Sequence, residues 1–75
     1  MQIGEAVRQA AQLIQNQLAF ESAEASFEAN LLCQQVFGVN RAWLISHQND
    51  ALEANQQAAF ETLVQRRLSG EPIAY

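Results

Sequence analysis

Apolar residues at the start of the chain recur at the spacing of one helix face: Ile3, Ala6, Val7, Ala10, Leu13, Ile14 and Leu18. Glu5, Arg8, Gln9, Gln12, Gln15 and Asn16 fill the opposite face. A stripe of this kind, sustained over more than four turns, specifies an amphipathic helix from about Gln2 to Leu18 that must bury one side. No segment alternates apolar and polar residues with period two, so the remaining elements are read as helices too.

A second helix is expected from about Ser22 to Phe37, with Ser22 as its N-cap, Glu24 in the first turn and Gly38 as the stop. It carries two apolar faces. Ala25, Ala29, Leu32, Cys33 and Val36 form one, and Phe27 with Leu31 forms the other. A helix apolar on both sides is expected between neighbours, which makes this the central and most buried one. Asn40 caps a short third helix, Arg41 to about Ser46, and His47-Gln48-Asn49-Asp50 is a polar turn. The last helix is expected to start near Asp50 or Leu52 and end near Ser69, with Leu52, Ala59, Phe60, Leu63 and Val64 on one face. Gly70 suits the position after a helix, and Pro72 prevents continuation. The reading is all-α, a small four- to five-helix bundle over residues 1–70. Residues 71–75 are an extended start of a connection to something further.

Composition narrows function by exclusion. The 75 residues make one domain at most. With one cysteine, Cys33, no internal disulfide forms, and one histidine, His47, does not complete a zinc site with it. A lone thiol fits a reducing cytoplasm. The net charge is −4, and all four basic residues are arginines. Direct nucleic-acid binding needs clustered basic residues, and only Arg66 and Arg67 adjoin. No apolar run approaches the ~20 residues of a membrane span.

His47 lies near the end of helix 3 without a second ligand or a nucleophile beside it, which favours a structural or solvated role. Cys33 lies on the Ala29/Leu32/Val36 face and reads as a buried, inert thiol. Glu21, Glu24 and Glu28 sit at helical spacing, but without Glu-x-x-His pairs they read as a solvated acidic edge. No Ser/His/acid set and no glycine-rich phosphate loop stands out, so no catalytic, cofactor or metal residue is assigned. Arg67 falls between Phe60 and Leu63, inside an apolar stripe. An arginine there either pairs with an acid in the bundle or offers a contact to a partner protein or adjoining domain.

The closing run Arg66-Arg67-Leu68-Ser69-Gly70-Glu71-Pro72-Ile73-Ala74-Tyr75 resembles the R-R-x-x-G-E-P-I-A-Y/H signature of the HemK/PrmC family. Glu28-Ala29-Asn30-Leu31-Leu32 resembles that family's acidic-Ala-Glu-Leu-Leu stretch, and Gly38, Arg41 and Leu44 its Gly-x-x-Arg-x-x-Leu step. Asn30 departs from the common glutamate and Cys33 from the common leucine. The likeness runs from about residue 22 to 75; helix 1 agrees in length and pattern only.

The resemblance implies a division of labour. Family members methylate a glutamine side chain of peptide chain release factors with S-adenosylmethionine. A small helical N-terminal domain precedes the Rossmann-like methyltransferase domain that carries the cofactor loop and the target-amide motif. This chain would then be the helical domain of a cytoplasmic enzyme, non-catalytic and cofactor-free alone. Its partners would be the release factor and its own C-terminal methyltransferase domain, with no direct nucleic acid and no membrane. Arg66, Arg67, Glu71, Pro72, Ile73 and Tyr75 are the expected partner or interdomain contacts. Two rival classes remain. A stand-alone helical adaptor is disfavoured by the apolar Ile73-Ala74-Tyr75 terminus. An acyl-carrier-like protein needs a modifiable serine in an Asp-Ser-Leu context, which Glu21-Ser22-Ala23 matches poorly.

Overall fold

The computed structural model describes residues 1–72. Four helices follow in order: α1 (Ile3–Leu18), α2 (Ser22–Phe37), α3 (Arg41–Ser46) and α4 (Ala54–Leu68). The three-residue link after α1 folds α2 back along it, as short helix connections do. α1 and α2 form the central pair, and α3 and α4 each lean on both and not on each other. The expectation of α2 alone at the centre is therefore corrected: α1 buries Ile3, Ala6, Ala10 and Ile14, and α2 buries Ala25, Ala29, Leu32 and Cys33. Four of these eight are alanines, whose small side chains let two helices approach closely. Leu44, Leu52, Phe60 and Val64 close the core from α3, the loop and α4.

The stop signals act as the sequence suggests. Gly38 adopts φ 65°, and its N–H and that of Val39 both donate to the Gln34 carbonyl. Asn40 caps α3 by accepting from the Trp43 N–H at 2.9 Å. By contrast, α1 ends on Ala19 at φ 57°, a left-handed conformation that costs a non-glycine residue about 1–2 kcal/mol.

Three local expectations are corrected. Ser22 is the first residue of α2 rather than its cap; Glu21 occupies that place. α4 begins at Ala54, later than expected, with Glu53 donating its N–H to Gln56 Oε1 at 3.1 Å. The residues before it are held instead by the N-terminus. Ile3 N–H donates to the Asp50 carbonyl, Gly4 N–H to that of Gln48, and Leu52 N–H to that of Met1. Residues 48–52 thus spend their backbone groups on pairing with residues 1–4. The third correction concerns the second apolar face of α2: Phe27 is 55% exposed and Leu31 half-buried, so the described residues cover that side only in part. Val36 is half-buried and Ala59 exposed, at the margins of their stripes.

Candidate functional site at the end of the last helix

α4 ends in a Schellman turn. Gly70 takes φ 105°, its N–H donates to the Arg67 carbonyl, and the Glu71 N–H donates to the Arg66 carbonyl. The Ser69 hydroxyl also donates to the Arg66 carbonyl, at 2.7 Å. This turn reverses the chain so that Glu71 lies beside the two arginines that precede it.

Arg67 is the centre of the corner. Its Nε donates to Glu28 Oε1 at 2.6 Å and its Nη2 to Glu28 Oε2 at 3.3 Å, a two-pronged match between guanidinium and carboxylate. The two side chains are only 17% and 12% exposed. The guanidinium carbon lies 5.3 Å from the centre of the Phe20 ring, in the link between α1 and α2. Nη1 turns to the Glu71 carbonyl at 3.4 Å. One side chain therefore ties together the α1–α2 link, α2, α4 and the segment leaving α4.

Arg66 does the complementary work in solvent. Its Nε and Nη2 donate to the two oxygens of the Glu71 carboxylate, each at 3.2 Å. This contact holds the Glu71 carboxyl below its usual range and pushes the Arg66 guanidinium up. Both side chains are largely exposed, so the clasp orients more than it stabilises. A shallow groove of about 120 Å³ opens here, bordered by Leu32, Leu63, Arg67, Glu71 and Pro72.

Of the six contact residues read from the sequence, Arg66, Arg67, Glu71 and Pro72 converge on this corner, and Ile73 and Tyr75 lie outside the described residues. Sequence reasoning assigned Glu28 to a solvated acidic edge. It is instead the partner of Arg67, and of that edge Glu21 and Glu24 remain exposed. The missed signal was that an arginine inside an apolar stripe needs an acid at the rim of another. Phe20 was missed altogether. Two stretches that resemble the family, Glu28 to Leu32 and Arg66 to Tyr75, are bonded to each other through Glu28 and Arg67.

The other candidates lie elsewhere. Cys33 is buried in the core, where burial pushes its thiol up to about 11. His47 stacks on Trp43 with ring centroids 3.8 Å apart, and its Nδ1–H donates to the Trp43 carbonyl at 2.8 Å. Among the described residues, no three His, Cys, Asp or Glu side chains gather as a metal site. None of the described helices is long and apolar enough to cross a membrane.

Comparison with known proteins points the same way. A release factor glutamine methyltransferase of Bordetella pertussis is 48% identical over 48 residues, 64% of this chain and 18% of that protein. One from Coxiella burnetii is 36% identical over 69 residues, 92% of this chain and 25% of that protein. One from Shewanella oneidensis is 37% identical over 59 residues, 79% of this chain and 21% of that protein. The chain thus spans between 18% and 25% of the length of these relatives. No solved structure matches it. The sequence model described as the PrmC N-terminal domain matches residues 5–75, which takes in most of α1 as well as the closing run, and the chain belongs to that family.

Proposed function

We propose that this chain is the substrate-docking and domain-positioning module of a protein-glutamine methyltransferase acting on peptide chain release factors in the cytoplasm. The observation that carries the positioning half of this reading is the Arg67 corner, and the family match supports the docking half. A side chain that fixes both Glu28 in the bundle and the backbone at Glu71 sets the direction in which the chain leaves α4. Such rigidity is useful where the following segment must hold a second domain at a defined angle, since a catalytic group misplaced by about 1 Å can lose about a hundredfold in rate. Residues 71–75 begin that connection in this reading, and the chain by itself is non-catalytic.

S-adenosylmethionine supplies the methyl group in the whole protein. Among the described residues no strand leads through a glycine-rich turn into a helix, the arrangement that cradles a dinucleotide-type cofactor. We therefore assign the cofactor to the second domain and none of the residues of this chain to it.

The reading is tested with the longer protein that includes this chain. Arg67→Ala is expected to lower the rate of release-factor methylation while S-adenosylmethionine affinity, measured by calorimetry, stays within about twofold. Unchanged methylation, or a loss fully explained by unfolding of the helical domain, overturns the positioning role. Binding of release factor to this chain alone, absent for a scrambled helical control, tests the docking role.

A further inference from the structure

A second surface lies at the opposite end of α1, whose sixteen residues span roughly 24 Å. Here α1, α2 and α3 leave a groove of about 210 Å³, floored by Ile3, Val7, Leu44 and Ile45. Ile45 is 59% exposed. Its rim is polar: Asn30, Arg41 and Gln48. Asn30 donates to the Ser26 carbonyl through Nδ2, which leaves its Oδ1 free to accept from a ligand.

The charge of this groove is opposite to that of the molecule. The net charge is −4 and only four side chains are basic. Two of them, Arg66 and Arg67, are held by Glu71 and Glu28. The other two come to this groove. Arg41 lines it, and Arg8 Nη1 lies 3.3 Å from where a side-chain carbon on Gly4, another lining residue, would stand. Both arginines are exposed, and neither forms a hydrogen bond or ion pair with another described residue. The frame beneath them is fixed. Gly4 N–H donates to the Gln48 carbonyl at 2.8 Å, and a side-chain carbon on Gly4 would come within 3.1 Å of both that oxygen and Gln48 Cβ.

We propose that this groove docks an acidic segment of a partner protein that carries one large apolar side chain. The apolar side chain sits on Ile3, Val7, Leu44 and Ile45, carboxylates on either side meet Arg8 and Arg41, and the Asn30 and Gln48 amides bond the segment's backbone. The groove is smaller than the ~300 Å³ at which small-molecule sites begin, which suits a single anchoring side chain. Two arginines on an otherwise acidic molecule are too few to hold a nucleic acid. The inference rests on the docking half of the function proposed above and supplies a surface for it, distinct from the Arg67 corner.

The test is a selection of displayed short random peptides on the 75-residue chain, with an Arg8→Ser, Arg41→Ser double variant as the control surface. Circular dichroism verifies that the control is folded, as expected for exposed, unpaired arginines. Selected peptides should be acidic with one large apolar residue and should bind the control about fivefold to tenfold more weakly, the loss of two exposed charge pairs. The amide signals of Gly4, Asn30, Ile45 and Gln48 should shift on titration. Neutral or basic winners, equal binding to the control, shifts centred on Phe27 instead, or no enrichment at all overturns the proposal. Release factor that binds the native chain and the double variant equally well refutes the groove and leaves the docking function standing. Acidic peptides that bind the groove while release factor does not bind the chain leave the groove standing and remove that partner.

Discussion

Arg67 and Glu28 are separated by 39 positions in sequence, and their side chains meet in a two-pronged pair at 2.6 and 3.3 Å, largely shielded from solvent. The shielding matters more than the distance. Removing one partner leaves the other charge largely shielded beside Phe20 and the α2–α4 contact, with its paired hydrogen bonds lost. We expect Arg67→Ala and Glu28→Ala each to cost about 1–3 kcal/mol, less than a fully buried pair and more than a surface one. The double variant should cost less than the sum of the two. Urea denaturation of the four proteins checks this; additive losses would mean that the pair is not coupled.

Leu32 and Phe27 lie on opposite sides of α2. Leu32 is 3% exposed and Phe27 is 55% exposed. Leu32→Ala should therefore cost about 2–5 kcal/mol, as a cavity in the core. Phe27→Gln should stay within about 0.5 kcal/mol. Thermal melts of both variants separate the two faces, and a large loss from the Phe27 change would show that its face is covered in solution.

Ala19 closes α1 at φ 57°, where a glycine carries no side-chain clash. Ala19→Gly removes that strain of about 1–2 kcal/mol and gives part of it back through the greater freedom of glycine in the unfolded chain. A net gain of about 0.5–1 kcal/mol is expected from chemical denaturation. A loss would show that Ala19 makes contacts worth more than its strain.

Cys33 offers a test by pH. Its thiol is raised from an ordinary 9.0 to about 11 by burial, so the folded protein holds that proton more tightly than the unfolded one. The linked stability is fully present below pH 9 and is lost as pH rises through about 11. At pH 8 the folded chain should react with a thiol reagent far more slowly than the urea-unfolded chain. Comparable rates would place Cys33 at the surface.

The Glu71 clasp responds to acid in the opposite sense. Its hydrogen bond to Arg66 lowers its carboxyl from the ordinary 4.5, so the clasp is complete at neutral pH and opens as pH falls through the lowered value. Carboxyl carbon shifts followed by NMR should place the Glu71 titration below the ordinary 4.5. Arg66→Gln should return Glu71 towards the ordinary range. A Glu71 titration unmoved by that change would remove Arg66 as the cause.

Much of the helical framework follows from local rules that act within one or two turns. The apolar period defines α1, Gly38 stops α2, Asn40 starts α3, and Gly70 with Pro72 ends α4, each through bonds to residues at most five positions away. The closing run and the Glu28 stretch were legible for the same reason, as short ordered strings. What local rules do not contain is the rotation and offset of one helix against another. That tertiary choice decided that Arg67 meets Glu28 rather than solvent, that Phe20 joins them, and that Phe27 stays more than half exposed. It also decided the late start of α4, because residues 48–52 pair their backbone with residues 1–4, some fifty positions distant, instead of with the next turn of their own helix. Arg8 and Arg41 come to one groove by the same route: the packing of α1 beside α3 brings Arg41 into the groove lined by Gly4, and Arg8 stands beside that glycine.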